Sequence, residues 1–194
     1  STCWPARACV SLHKRWGLLF HAGSECWSAL QALDVHNIKM LKIPSVPPFH
    51  VAFSLGEDTP DLYVREAYHG LFQQIVSVHG KGEAAIVCGN PGVGKSRFML
   101  YCLARAVQSD RYKKIVLDIP FKFNNSLYIL QERSLLRVSR DTVDDCDLYL
   151  FDAGGDKKDS MLQCDNKVVL TLPDAKGYTL AVKVQHKYLF LPPF

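Results

Sequence analysis

The stretch Glu83-Ala-Ala-Ile-Val-Cys-Gly-Asn-Pro-Gly-Val-Gly-Lys-Ser96 decides the fold of this chain of 194 residues. The apolar run that ends at Cys88 predicts a short strand that is buried on both faces. The eight residues from Gly89 match the pattern G-x-x-x-x-G-K-[ST] at every fixed position. Residues 96–109 then place apolar side chains at helical spacing. The motif therefore stands between a strand and a helix, which is the context it requires.

The chemistry of this loop is phosphate binding. Its glycines permit backbone conformations in which successive N–H groups turn inward as an anion nest, at the positive end of the following helix. Lys95 can then neutralise the β- and γ-phosphates, and the Ser96 hydroxyl can bind Mg²⁺. We therefore expect ATP and Mg²⁺ as cofactors, and the predicted nucleotide-binding residues are Gly89, Asn90, Pro91, Gly92, Val93, Gly94, Lys95, Ser96 and Arg97.

Two other interpretations of the loop are weaker. A chance glycine-rich turn would not be expected to match the whole motif and both of its flanks. A dinucleotide-binding G-x-G-x-x-G pattern fails because Arg97 stands where the third glycine would be, and only Asp118 could serve as the acidic residue after a second strand.

A phosphate loop of this type needs an acidic partner at the end of a neighbouring strand. Asp152 closes the apolar run 148–151 and is the preferred Walker B candidate, although a strand-terminal turn Asp is the alternative. Asp118 also ends an apolar strand and is held in reserve. The predicted catalytic residues are accordingly Lys95 and Asp152, and the predicted metal ligands are Ser96 and Asp152.

Hydrolysis asks for more than binding. Many ATPases place a Glu directly after the Walker B Asp, whereas Ala153 follows here, so the catalytic base is unassigned. Thr171 near the end of a later strand could contact phosphate or water, but Thr is also a common strand residue. Three arginines are available as arginine fingers or as ordinary surface charges: Arg97, Arg137 and Arg140.

The remainder of the chain predicts an open α/β sheet. Residues 62–79 predict an amphipathic helix, and the runs SLYILQ and SLLRVS within 121–142 predict an inserted β-hairpin. Further buried strands are predicted at 114–118, 147–151, 167–172 and 187–191. The fold expected is a P-loop NTPase three-layer sandwich with a mostly parallel sheet, over residues 59–194. Residues 1–58 form a separate N-terminal segment and a proline-rich linker, with one helical stretch at 24–33.

Composition excludes several classes of protein. A chain that is 48% hydrophobic and 22% charged is globular, and a net charge of +4 does not indicate a nucleic-acid partner. Eight Asp residues between positions 141 and 165 argue further against one. Seven cysteines without a CxxC pair favour a reducing, intracellular compartment, with Cys88 and Cys102 as core residues. No signal peptide or membrane segment is evident, and the seven histidines show no metal-ligand spacing.

Several stretches together resemble a known family. They are Leu62-Tyr-Val-Arg-Glu-Ala-Tyr68, Val87-Cys-Gly-Asn-Pro-Gly-Val-Gly-Lys-Ser-Arg-Phe98, the hairpin-like insert, Leu148-Tyr-Leu-Phe-Asp152 and Tyr188-Leu-Phe-Leu-Pro-Pro-Phe194. Over residues 60–194 the chain resembles the NTPase domain of the Crinkler effectors and the related retrotransposon hot spot proteins. The resemblance implies a secreted or intracellular effector that acts in the host cytoplasm or nucleus. It also implies that the NTPase domain is truncated at its C-terminus.

We therefore expect an ATP-binding NTPase domain, with weak turnover, whose nucleotide state switches a larger effector protein. Two alternatives stay open, a non-catalytic interaction module that keeps the nucleotide fold and a truncated inactive fragment. The expected partners are the nucleotide and, in addition, another protein or a second copy of the chain, and no membrane.

Overall fold

The structure is a computed structural model that describes residues 27–28, 30–31, 40–42, 61–119, 126–153, 162, 164–171 and 185–193. In chain order its elements are β1 (Met40–Lys42), β2 (Asp61–Tyr63), α1 (Glu66–Val78), β3 (Ala84–Cys88), α2 (Lys95–Gln108), β4 (Lys114–Asp118), β5 (Ser126–Gln131), β6 (Ser134–Ser139), a 3-10 turn (Arg140–Thr142), β7 (Leu148–Asp152), β8 (Lys167–Thr171) and β9 (His186–Phe190).

A seven-stranded sheet organises the chain, in the order β6-β5-β4-β7-β8-β3-β9. Five adjacent strands of this sheet, β4, β7, β8, β3 and β9, are parallel. The strands β5 and β6 extend the β4 edge as an antiparallel hairpin. Glu132 and Arg133 connect the hairpin with positive φ angles of 50° and 63°, which suits a tight two-residue turn. The predicted α/β class, the mostly parallel sheet and the inserted hairpin are confirmed.

The two faces of the sheet are covered differently in the described residues. α1 packs on β3 and β9, and α2 packs on β7 and β8, so both helices lie on one face, which we call the helix face. Side chains of the opposite face form a second buried cluster that includes Ile86, Val116, Tyr149 and Val169. Of the three layers expected, the described residues thus supply the sheet and one helical layer.

One predicted boundary is wrong. The helix expected over residues 62–79 begins at Glu66, because residues 61–63 instead form β2, which pairs antiparallel with β1. Leu62 fits helical spacing, yet it is buried from a strand. The partner strand Met40–Lys42 lies far away in sequence, so local periodicity could not reveal this pairing. The boundaries of the parallel strands agree with the prediction to within one residue.

Part of the N-terminal segment packs on the main core. Trp27 and Leu30 belong to the cluster on the helix face, and Gln108 donates from its side-chain amide to the Leu30 carbonyl at 3.0 Å. Residues 27, 28, 30 and 31 are helical, in agreement with the stretch predicted over 24–33. The proline-rich linker lies outside the described residues. Cys88 and Cys102 are buried, as predicted, and burial raises the pKa of the Cys102 thiol.

Candidate functional site

The candidate site lies where the carboxyl ends of the parallel strands meet. In the sheet, the strands from β4 to β8 lie on one side of β3 and β9 lies on the other side. The strand order therefore changes direction at β3. Open α/β sheets bind ligands outside the carboxyl ends of their strands at such a switch point. The residues that the sequence singled out, Gly89, Asp118, Asp152 and Thr171, all lie at or just beyond this edge.

The loop from Gly89 to Ser96 turns tightly into α2. Gly92 and Gly94 have φ angles of 82° and 89°, in the left-handed region that favours glycine. The Phe98 N–H donates to the Gly94 carbonyl at 2.9 Å, which opens the hydrogen-bond ladder of α2. No side chain caps this helix N-terminus. The N–H groups of the first turn, which have no intrahelical acceptor, are therefore directed toward the loop.

Lys95 folds over the mouth of the loop. Its Nζ donates to the carbonyls of Gly89 at 2.7 Å and Asn90 at 2.9 Å. Partial burial lowers the pKa of the Lys95 ammonium, while the carboxylate of Asp152 opposes that shift. The loop thus holds a cation at its entrance, within the field of a neighbouring strand-end carboxylate.

Ser96 and Asp152 are in direct contact. The Ser96 hydroxyl, on the exposed first turn of α2, donates to Asp152 Oδ2 at 2.5 Å. Asp152 is buried at the end of β7, which β8 separates from β3. Its carboxylate is on the helix face, so strand and helix together place one hydroxyl and one carboxylate beside the loop.

Asp118 is engaged elsewhere. It ends β4 on the opposite face of the sheet, where its side chain is fully buried. Its carboxylate forms an ion pair with the guanidinium of Arg140 and accepts a hydrogen bond from the Tyr149 hydroxyl at 2.6 Å. Burial, reinforced by the negative charge of Asp118, raises the pKa of Tyr149. The reserve candidate and one of the three arginines therefore form an ion pair in which Asp118 is fully buried and Arg140 is partly exposed.

The other predicted residues do not join the contacts between the loop and Asp152. Thr171 is buried at the end of β8, beside Cys88 of β3. Ala153 donates its N–H to the Leu170 carbonyl and continues the pairing of β7 with β8. Arg97 and Arg137 are exposed, the first beside the loop on α2 and the second on β6.

Sequence reasoning from chemistry missed two residues that support the loop, Arg65 and Tyr68. The guanidinium of Arg65 donates to the Val93 carbonyl at 3.0 Å, and the Tyr68 hydroxyl donates to the Gly94 carbonyl at 3.4 Å. Arg65 is the N-cap residue of α1, three positions before Tyr68, and its backbone is extended. In the helix expected over residues 62–79 it falls on the same face as Tyr68, and this spacing is the signal that could have identified the contact.

No helix of the described residues is long and apolar enough to cross a membrane. Within the same residues, His, Cys, Asp and Glu side chains do not gather in groups of three or more that could hold a metal ion. Comparisons of the chain with protein-family models, curated proteins and solved structures give no match.

Proposed function

We propose that this chain is a P-loop NTPase domain that binds ATP with Mg²⁺ on the loop from Gly89 to Ser96. The observation that carries the proposal is the hydrogen bond between Ser96 and Asp152, which joins residues 56 positions apart beside that loop. A hydroxyl and a carboxylate at this place are the protein oxygens that a phosphate-bound Mg²⁺ requires.

The residues present fit an anionic ligand with a divalent cation. The left-handed glycines and the helix N-terminus supply N–H donors, and Lys95 supplies a cation at the loop entrance. Mg²⁺ in nucleotide sites is held by one or two protein groups and by substrate phosphates, so a larger cluster of acidic side chains is not needed. When bound, Mg²⁺ would neutralise charge on the β- and γ-phosphates. Ser96 and Asp152 would hold it, and Lys95 would exchange its loop carbonyls for phosphate oxygens.

The order of the strands favours an NTPase of the additional-strand type. In that type one more strand stands between the strand that precedes the phosphate loop and the strand that ends in the Walker B Asp. Here β8 lies between β3 and β7. Ala153 offers no carboxylate to orient water after Asp152, so we propose slow turnover and a function as a nucleotide-dependent switch.

The contacts of Arg65 also support a relationship to the Crinkler and retrotransposon hot spot NTPase domains. Two of the stretches that carry the resemblance, the one around Arg65 and the one that ends in Pro192 and Pro193, meet through this arginine. We propose on that basis that the domain belongs to an effector protein, and that its nucleotide state regulates another domain or a protein partner in the host cytoplasm or nucleus.

Titration calorimetry of ATP and ADP with Mg²⁺ tests the proposal. The wild-type protein should bind with saturation, and Lys95→Ala should weaken binding by about tenfold or more, because a charge-assisted hydrogen bond contributes about 1.5–3 kcal/mol. Lys113→Ala, which removes an exposed lysine that precedes β4, is the matched control and should leave affinity unchanged. Asp152→Asn should remove the dependence on Mg²⁺. A folded protein that binds neither nucleotide would overturn the proposal.

Phosphate release separates the enzyme from the interaction module that Ala153 favours. Slow release that disappears in Lys95→Ala would establish a hydrolase. Saturable binding without release, at enzyme concentrations far above the affinity constant, would establish a binding module on the same fold.

A further inference from the structure

Arg65 connects two segments that are distant in sequence. It is 8% exposed at the residue before α1, and its guanidinium donates to three backbone carbonyls. One is the Val93 carbonyl of the phosphate loop at 3.0 Å. The other two belong to Pro192 at 2.6 Å and Pro193 at 2.7 Å, in the segment that follows β9. The loop and this segment, residues 191–193, therefore share one rigid donor group.

The contact with Val93 fixes the direction of a loop amide. A trans peptide is planar, so its carbonyl and the N–H of the next residue point in opposite directions. Because Arg65 holds the Val93 carbonyl, the N–H of Gly94 points away from Arg65. Gly94 is the left-handed residue immediately before α2. Arg65 thus orients one of the donors that a phosphate group would meet.

Three further contacts strengthen the connection between the loop and residues 191–193. The Tyr68 hydroxyl donates to the next loop carbonyl, that of Gly94, and the Arg65 guanidinium lies over the Tyr68 ring at 5.8 Å. On the other side, the Leu191 N–H donates at 2.8 Å to the carbonyl of Cys88, which immediately precedes the loop. A movement of the loop would therefore act on residues 191–193 through both the side chain and the backbone.

We propose that Arg65 is a positioning residue that couples the conformation of the phosphate loop to that of residues 191–193, so that a nucleotide on the loop alters the segment after β9. The ligand in this proposal rests on the proposed function, whereas the coupling itself does not. The guanidinium is a planar fork with donors in fixed directions, so the loop and segment cannot shift independently while it is bound to both. Coupling is reciprocal, so the segment must alter nucleotide affinity by the same factor.

Amide hydrogen exchange at Leu191, followed by NMR, tests the coupling without nucleotide. Arg65→Lys keeps the charge but not the fork, and it should speed exchange at Leu191 by about tenfold, the effect of one lost charged hydrogen bond. Arg105→Lys is the matched control, because Arg105 is another buried arginine that donates to Tyr101 and does not contact the loop. Tyr68→Phe removes only a hydroxyl and should give a smaller increase. Equal exchange in the wild type and Arg65→Lys would overturn the proposal.

ADP with Mg²⁺ then serves as the probe in the same experiment. In the wild type it should slow exchange at Leu191, and in Arg65→Lys it should bind about tenfold more weakly and leave Leu191 unchanged. Binding that protects loop amides but not Leu191 in the wild type would overturn the coupling and leave the proposed function standing. Absence of binding in the wild type would overturn the proposed function. The nucleotide-free comparison of Arg65→Lys with Arg105→Lys would still decide the coupling.

Discussion

Asp118 and Asp152 end neighbouring parallel strands, yet they have opposite roles in the structure. The register pairs Asp118 of β4 with Phe151 of β7, so Asp152 lies one residue further along. Because side chains alternate between the faces of a sheet, this single step puts the two carboxylates on different faces. Asp118 contacts the partly exposed guanidinium of Arg140 and the buried phenol of Tyr149, whereas Asp152 contacts the hydroxyl of the exposed Ser96.

At one edge of the sheet, a carboxylate in a structural ion pair therefore stands close to the carboxylate that we propose as a cation ligand. The charge of Asp118 is compensated by Arg140, and Asp118 is fully buried whereas the Arg140 side chain is 17% exposed. Asp152 accepts a hydrogen bond from the neutral hydroxyl of Ser96 and interacts electrostatically with Lys95 beside the loop. Both residues are aspartates at the end of a strand, and they differ in the face of the sheet on which the carboxylate lies.

Substitution of each aspartate by asparagine should give the largest difference between the two residues in the free energy of unfolding. Asp118→Asn leaves the partly exposed Arg140 without its counter-charge and should lower the free energy of unfolding by about 3 kcal/mol, the lower end of the cost of breaking a buried ion pair. Asp152→Asn keeps an acceptor for Ser96 and should lower it by less than about 1 kcal/mol. Urea denaturation of the two variants measures both values. Equal losses would mean that Asp152 is also a structural residue.

The stabilities of the aspartate variants must be compared at one pH, because the burial of His79 should make the free energy of unfolding depend on pH. His79, immediately after α1, hydrogen-bonds through Nδ1 to the Tyr112 hydroxyl, and its buried Nε2 has no hydrogen-bond partner among the described residues. Burial, with Arg111 nearby, lowers the pKa of His79 to about 4. Between about pH 6.5 and pH 4 the unfolded chain therefore binds more protons than the folded protein, and stability falls as the pH falls.

The expected loss from His79 is about 2 kcal/mol between pH 7 and pH 5. Urea denaturation at several pH values measures it. His79→Phe keeps the ring volume, cannot take up a proton and should remove this part of the pH dependence, at some loss of stability at pH 7. An unchanged slope in His79→Phe would show that other groups cause it.

The hydroxyl partners of the two aspartates give the smallest expected difference. Tyr149→Phe removes a donor from a buried carboxylate and should cost about 1.5–3 kcal/mol. Ser96→Ala removes a donor at an exposed helix turn, where water can replace it, and should cost less than about 1 kcal/mol while removing the Mg²⁺ dependence of nucleotide binding. Thermal unfolding and calorimetry measure the two effects. A larger loss of stability in Ser96→Ala would contradict the division between the two faces.

Much of the fold could be predicted because its signals are local. Most elements can each be recognised within about ten residues of sequence. This holds for the apolar runs of β3, β4, β7, β8 and β9, for the hairpin and for the loop glycines. Asp152 could be preferred over Asp118, but the face of each could not be derived, since it depends on the register between strands 30 residues apart.

Contacts over long sequence separations were beyond local patterns. The bond from Arg65 to Pro193 spans 128 positions, and the β1–β2 pair joins residues on either side of the proline-rich linker. Neither contact produces a periodic pattern of residues in the sequence around either partner. Arg65 itself was visible three positions before the buried Tyr68, but its acceptors are backbone carbonyls, which carry no sequence signature.

The position of β3 in the sheet has a consequence for biosynthesis. Its two neighbours are β8 and β9, which begin at Lys167 and His186, although β3 itself ends at Cys88. On the ribosome, β3 therefore cannot pair with its two neighbouring strands until nearly the whole described chain has been synthesised. The contacts that tie the loop to residues 191–193 can form only after this segment has left the exit tunnel.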